Sequence, residues 1–420
     1  MTRLLVIMGS GETSPTMIKV HRALFERLEP NAAGPVAAVL LDTPVGFQEN
    51  ADLIATKAVE YFRESVGREL QVATWRRGPP TADPVEHETM LARVRAAQYV
   101  FAGPGSPSYA LEQWAGSHLP DALAEKLRTG GCVTFASAAA LTLGRFTVPV
   151  YEIYKVGEDP RWLDGLNLVA EAGLDAVVIP HFDNAEGGNH DTRFCYLGER
   201  RLAIMERLLP ASTFVLGVDE HTACIIDLDA QTATVEGRGG VTVRRAGRVS
   251  TVTSGSTVPL TRLGELAEGG GARPAEAQPP SVTPRAAPDA GASPLLEAVH
   301  TLELAFDDAL ARGEAPAAVR AVLELEQTLV DWSRDTLQSD ELDRGRSALR
   351  SMVVRLGEVA QSGTADPRVT LGPFVEALLA ARDRARADRR WTEADEIRDR
   401  LVAAGVEVRD TPDGTSWGSA

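Results

Sequence analysis

A serine at position 137, histidines at 181, 190 and 221, and carboxylates at 183, 191, 219 and 220 are the side chains whose types and spacing suit shared chemistry. Ser137 stands where the apolar run Cys132 to Ala136 meets the alanine-rich helix start Ala138-Ala139-Ala140-Leu141. A strand-to-helix turn of this kind aims a serine hydroxyl out of the sheet edge, with the next backbone N–H placed to meet an oxyanion. The usual pattern has glycine two residues before and two after the serine, whereas Phe135 and Ala139 stand there in this chain. His181 opens a polar, glycine-containing loop directly after the apolar run Asp175 to Ile179, where a general base would sit at the sheet edge. A carboxylate in Gly217-Val218-Asp219-Glu220-His221-Thr222, at the end of the next strand, can orient the imidazole, the third role of a triad. Arg193, in the His181 loop, suits either a bidentate contact to a substrate carboxylate or a surface ion pair.

Other motifs offer weaker chemistry. Gly103-Pro104-Gly105-Ser106 follows an apolar run, and because Pro104 lacks an N–H, an oxyanion donor there has to come from Gly105 or beyond. His181, Asp183, His190 and Asp191 are metal-ligand types, but their spacing matches no helical or finger-type pattern, so no metal is expected. In Gly9-Ser10-Gly11 the third glycine of a dinucleotide fingerprint would fall on Ser14, so no cofactor is expected.

The elements that must position these residues follow from hydropathy. Continuous apolar runs at Leu4 to Met8, Val36 to Leu41, Leu70 to Thr74, Gln98 to Ala102, Cys132 to Ala136, Asp175 to Ile179 and Phe214 to Val218 mostly alternate with helical patterns. That alternation predicts a doubly wound α/β domain with a mostly parallel sheet covered on both faces, and with functional loops at the strands' carboxyl ends. Thr222 to Val243 reads as antiparallel strands closing this domain, set at residues 1–262. Residues 263–294, rich in Gly, Pro and Ala, are expected to be a disordered linker. Helical periodicity over 295–387 predicts an all-α bundle, and 388–420 a small terminal helix-strand unit stopped at Gly405.

Bulk properties narrow the class. A formal charge of −16 disfavours general attraction to nucleic acid or anionic membrane, so any RNA contact would need its own basic patch. The three cysteines form no paired motif, and no apolar run reaches membrane-spanning length. With Met-Thr-Arg running straight into Leu4, a cytoplasmic protein is expected.

With Ser137, His181 and Glu220 in that order, the first roughly 250 residues resemble the peptidase family of α-aspartyl dipeptidase and cyanophycinase, serine hydrolases on a class I glutamine amidotransferase-like fold. Gly103-x-Gly105-Ser106, Phe135-Ala136-Ser137-Ala138, Pro180-His181-Phe182 with Asn184-Ala185, His190, Thr192-Arg193, Arg201 and Gly217-x-x-Glu220 carry the likeness. The resemblance implies Ser137 as nucleophile, His181 as general base, Glu220 as its orienting acid, and the Gly105 and Ala138 N–H groups as oxyanion hole. It also implies Arg193, Ser106 and His190 as substrate-binding residues and a small acidic or aspartyl amide as substrate. A second resemblance covers about 295–417: Trp391-Thr392-Glu393-Ala394-Asp395-Glu396-Ile397-Arg398-Asp399-Arg400-Leu401 and Gly405-Val406-Glu407-Val408 through Trp417 are similar to the C-terminal region of cysteinyl-tRNA synthetase. That likeness implies tRNA contact, with Arg398 and Trp417 as candidates, but no tRNA charging, since the synthetase's nucleotide-binding signatures and zinc cysteines are missing. The alternative is a binding protein whose hydrolase site has lapsed and whose C-terminal module holds tRNA or a protein partner.

Overall fold

The computed structural model describes residues 2–419 except 32–33, 79–82, 187–189, 270–272, 275–292, 336–339, 363–366 and 412–413. The chain forms two compact units, Met1–Ser293 with Val330–Leu342, and Pro294–Leu329 with Asp343–Ala420.

The first unit is mixed α/β. Its larger sheet has the order Thr257–Pro259, Thr232–Gly237, Thr222–Asp227, Arg3–Met8, Gly131–Ala136, Tyr99–Ala102, Ala38–Leu41, Gln71–Ala73. From Arg3–Met8 to Gln71–Ala73 the strands are parallel, and beyond Arg3–Met8 on the other side they are antiparallel. The continuous apolar runs reflect burial of both faces. Leu5, Ile7, Val100, Val133 and Phe135 enter one core, while Leu4, Val6, Tyr99, Cys132 and Ala136 enter the other. Ala176–Ile179 and Phe214–Val218 run parallel to each other, but in a second sheet with Gly240–Arg245, Arg248–Thr253 and Arg273–Pro274, not in the larger one. Hydropathy alone does not distinguish one buried sheet from two.

Met8 is paired with Ala136, and Ala102 with Phe135, so the loops that follow the three central strands leave the same edge side by side. These are Gly9–Ser14, Gly103–Ser106 and the Ser137 turn. A third apolar cluster, including Leu141, Ile153, Ile179, Phe182 and Phe194, underlies the His181 loop. Helix Leu260–Glu268 runs past residue 263, the expected start of the linker, because Leu260, Leu263 and Ala267 bury one face in the core. Residues 275–292 of that linker lie outside the described residues.

The second unit contains helices Pro294–Ala311, Ala315–Trp332 up to Leu329, Glu341–Ser362 from Asp343, Pro367–Ala387 and Trp391–Ala403, then a hairpin of Val406–Thr411 with Gly414–Ser419. Val375, Leu379, Leu401, Val406 and Val408 form its small core, with Ile397 and Trp417 packed against it. Arg382 is buried and pairs bidentately with Asp410 at 2.7 and 2.8 Å, tying the fourth helix to the hairpin.

Candidate active site

Ser137 begins the helix Ser137–Leu141 with φ of +49°, a left-handed backbone that a residue with a β-carbon adopts only where its surroundings impose it. The kink turns the serine out of the strand. Its Oγ lies 3.0 Å from His181 Nε2, and His181 Nδ1 lies 2.7 Å from Glu220 Oε1. His181 also has a left-handed φ, +47°. Its carbonyl accepts the Asn184 and Cys195 N–H groups, which fold the loop back around the imidazole. Glu220 is fixed twice more: the Asn184 amide donates to Oε1 at 3.1 Å, and its own N–H donates to Asp183 at 2.7 Å.

The electrostatics of the pair are reciprocal. Burial pulls the His181 pKa down, but the hydrogen bond and charge of Glu220, aided by Glu12 and Glu186, more than reverse this and leave it above the ordinary histidine value. Burial pushes Glu220 up, and the His181 hydrogen bond and charge bring it below the usual carboxylate range. An imidazole held this way is able to accept a hydroxyl proton at Nε2 when its own proton is at Nδ1 against a carboxylate.

A cleft of about 300 Å³ opens over Ser137, bordered by Gly105, Ala138, Tyr151, Tyr154, Lys155 and Tyr196 among others. Gly105 has φ of +137°, and a β-carbon there would come within 2.0 Å of the Pro44 carbonyl oxygen, so only glycine fits. Ala138 is the second residue of its helix, so its N–H has no partner within the first turn. Both N–H groups therefore belong to backbone bordering the cleft beside the serine hydroxyl.

The remaining sequence candidates fall elsewhere. The Arg193 guanidinium pairs bidentately with Asp191, both contacts 2.8 Å, and does not border the cleft. Ser106 caps the helix Pro107–Trp114, its Oγ accepting the Tyr109 N–H at 3.2 Å. His190 reaches the neighbourhood indirectly, with Nε2 3.4 Å from the Tyr154 hydroxyl. Phe135 points into the core against Trp114 and not into the cleft. Sequence reasoning missed Asn184 as a support for Glu220, and missed Lys155, whose ammonium sits 4.9 Å from the Tyr151 ring centroid. Nothing in the run Tyr151 to Val156 marks Lys155 as a cleft residue; its place follows from the turn that carries it. Among the described residues no three His, Cys, Asp or Glu side chains are grouped to hold a metal ion.

The second unit carries the clearest sequence kinship. Residues 369–417 match the cysteinyl-tRNA ligase anticodon binding domain. The cysteine–tRNA ligase of Arthrobacter sp. (strain FB24) is 37% identical over 138 residues, 30% of this chain and 27% of that protein. That of Salinibacter ruber is 36% identical over 129 residues, 28% of this chain and 24% of that protein. The chain thus spans about a quarter of the length of these curated relatives. The first unit resembles a solved peptidase from an acI-B1 Actinobacterium, with a TM-score of 0.50 and 20% identity over 62% of this chain and 97% of that one, a likeness of fold. A peptidase-like fold is therefore joined in one chain to an anticodon-binding-domain-like segment. Within that segment Arg398 is exposed, whereas Trp417 is partly buried against the core. Among the described residues no helix is long and apolar enough to cross a membrane.

Proposed function

We propose that the first unit is a serine hydrolase of amide bonds and that the second binds tRNA. The hydrolase reading rests on the unbroken hydrogen-bonded chain from Ser137 through His181 to Glu220, at the edge where three parallel strands release their loops. Ser137 Oγ attacks the substrate carbonyl while His181 Nε2 takes its proton, and Glu220 steadies the imidazolium that forms. The Gly105 and Ala138 N–H groups receive the negative charge on the carbonyl oxygen. His181 then returns the proton to the departing amine, and a water activated by the same imidazole releases the acyl group from Ser137.

For the substrate we propose a small amide bearing a carboxylate, an aspartyl compound being the expected type. Lys155 supports this reading in place of Arg193, because it borders the cleft and no carboxylate is paired with it among the described residues. The tRNA reading rests on the match over residues 369–417 and on exposed Arg398. A fluorophosphonate probe should label the full chain at Ser137 and leave Ser137→Ala unlabelled. Absence of labelling in the wild type overturns the hydrolase reading and leaves the binding-protein alternative.

A further inference from the structure

Glu12 is an unusual residue for a place beside this site. It lies in the Gly9–Ser14 loop and is completely buried, yet neither carboxyl oxygen has a hydrogen-bond partner. Its backbone is held firmly. His21 Nε2 donates to the Glu12 carbonyl at 2.7 Å while His21 Nδ1 accepts from Tyr99, the Ser14 hydroxyl donates to Gly11, and Tyr61 donates to the Ser14 carbonyl. The side chain lies against the turn that leads to Gly105, where a β-carbon on Gly103 would lie only 3.0 Å from Glu12 Oε1. Glycine at 103 leaves the room that this carboxyl group occupies.

The ionisable groups packed against the Gly9–Ser14 loop include His21, His221, Tyr61 and Asp335. His21 and His221 are both pushed down to about 4, chiefly by burial, and are neutral near pH 7. Burial drives the Tyr61 phenol upward, so it too is neutral. Asp335, which accepts from Thr13 Oγ1, opposes a negative charge on Glu12. His181 is the one neighbour among these that becomes a cation in the proposed reaction, and it favours that charge. A buried carboxylate with no side-chain donor is hard to ionise, and here only its own backbone N–H and the nearby His181 favour the charge. Burial first, and Asp335 in addition, hold the Glu12 pKa at about 7.

We infer that Glu12 is a positioning residue of the Ser137–His181–Glu220 arrangement, a second acid behind the Gly103–Gly105 turn that sets how readily the imidazole takes a proton. Glu220 meets the imidazole through a hydrogen bond, whereas Glu12 acts on it through charge alone. This deepens the proposed reading of the site and rests on it for its catalytic meaning, although the coupling itself does not require turnover.

The test uses the full chain and follows the His181 ring by carbon–proton NMR against pH in a Ser137→Ala background, with Glu12 or with Glu12→Gln. With Glu12 present the His181 titration should show a second inflection near pH 7. With Glu12→Gln a single inflection should remain, displaced to lower pH. Glu12→Asp, which keeps an ionisable group, should restore two steps. In the Ser137 protein the acid limb of fluorophosphonate labelling should move the same way. Identical His181 titrations with Glu12 and with Gln at that position overturn the inference even if labelling is normal. Coupled titrations without any labelling uphold the coupling and overturn the hydrolase reading alone.

Discussion

Replacing Phe135 by alanine separates two explanations of why a bulky ring stands where the usual elbow has glycine. The side chain is fully buried in the core shared with Val133, with its ring centroid 5.8 Å from that of Trp114, and it does not border the cleft. Removing a phenyl group from such a place costs about 3–5 kcal/mol, transfer and cavity together. For a unit of roughly 300 residues, an unfolding entropy of about 2 cal/mol/K per residue gives some 0.6 kcal/mol/K, so the melting midpoint should fall by about 5–8 °C. Ser137 is positioned by its own backbone and by His181, so the rate of fluorophosphonate labelling at a temperature well below the transition should stay within about threefold of wild type. Circular dichroism melts and timed labelling measure the two quantities on one sample. A labelling rate that rises about tenfold or more, with an unchanged midpoint, would refute this reasoning, because it would mean that the ring obstructs the site and does not fill the core.

Because the His181 pKa is raised, labelling should increase as pH is raised through a value above the ordinary 6.5, and Glu220→Gln should shift that limb downward while lowering the plateau by roughly a hundredfold or more. The same shift acts on stability. The His181 contribution is fully present below the unfolded histidine pKa and is lost as pH rises through the folded one, so wild type should lose its advantage over His181→Ala across that interval in denaturant titrations. Lys155→Gln should raise KM for carboxylate-bearing amides with little change in kcat, whereas Arg193→Gln should leave both nearly unchanged. Filter binding of tRNA to the full chain should weaken steeply with salt, and Arg398→Glu should reduce both the affinity and the salt slope. Salt-independent binding would remove the basis for the tRNA reading.

The central strands were legible because burial on both faces leaves no polar residue to interrupt Leu4 to Met8. The helices of the second unit were legible because apolar residues recur there at helical spacing, with Val375, Leu379 and Leu401 meeting in one core. Strand ends alone marked Ser137, His181 and a carboxylate within Gly217 to Thr222, and the choice of Glu220 among them came from the family resemblance. What the sequence withheld was partner choice. Arg193 and Lys155 are both cations near the site, and only the fold reveals that Asp191, two residues away from Arg193, takes one of them. Asn184 and Glu12 were hidden for a related reason: a lone amide or carboxylate in a loop carries no sign of what it will face after folding. Assignment of Ala176–Ile179 to a second sheet depends on long-range pairing, on which local hydropathy is silent.

Ser137 and His181 share left-handed backbone, at +49° and +47°. For a residue with a β-carbon that conformation costs on the order of 1 kcal/mol, and glycine would be free of it. The two side chains that meet across 3.0 Å thus stand on backbone that glycine would adopt more readily. Glycine at either position would relieve that backbone cost but would also remove the hydroxyl or the imidazole with its hydrogen bond, so the two effects on stability oppose one another there.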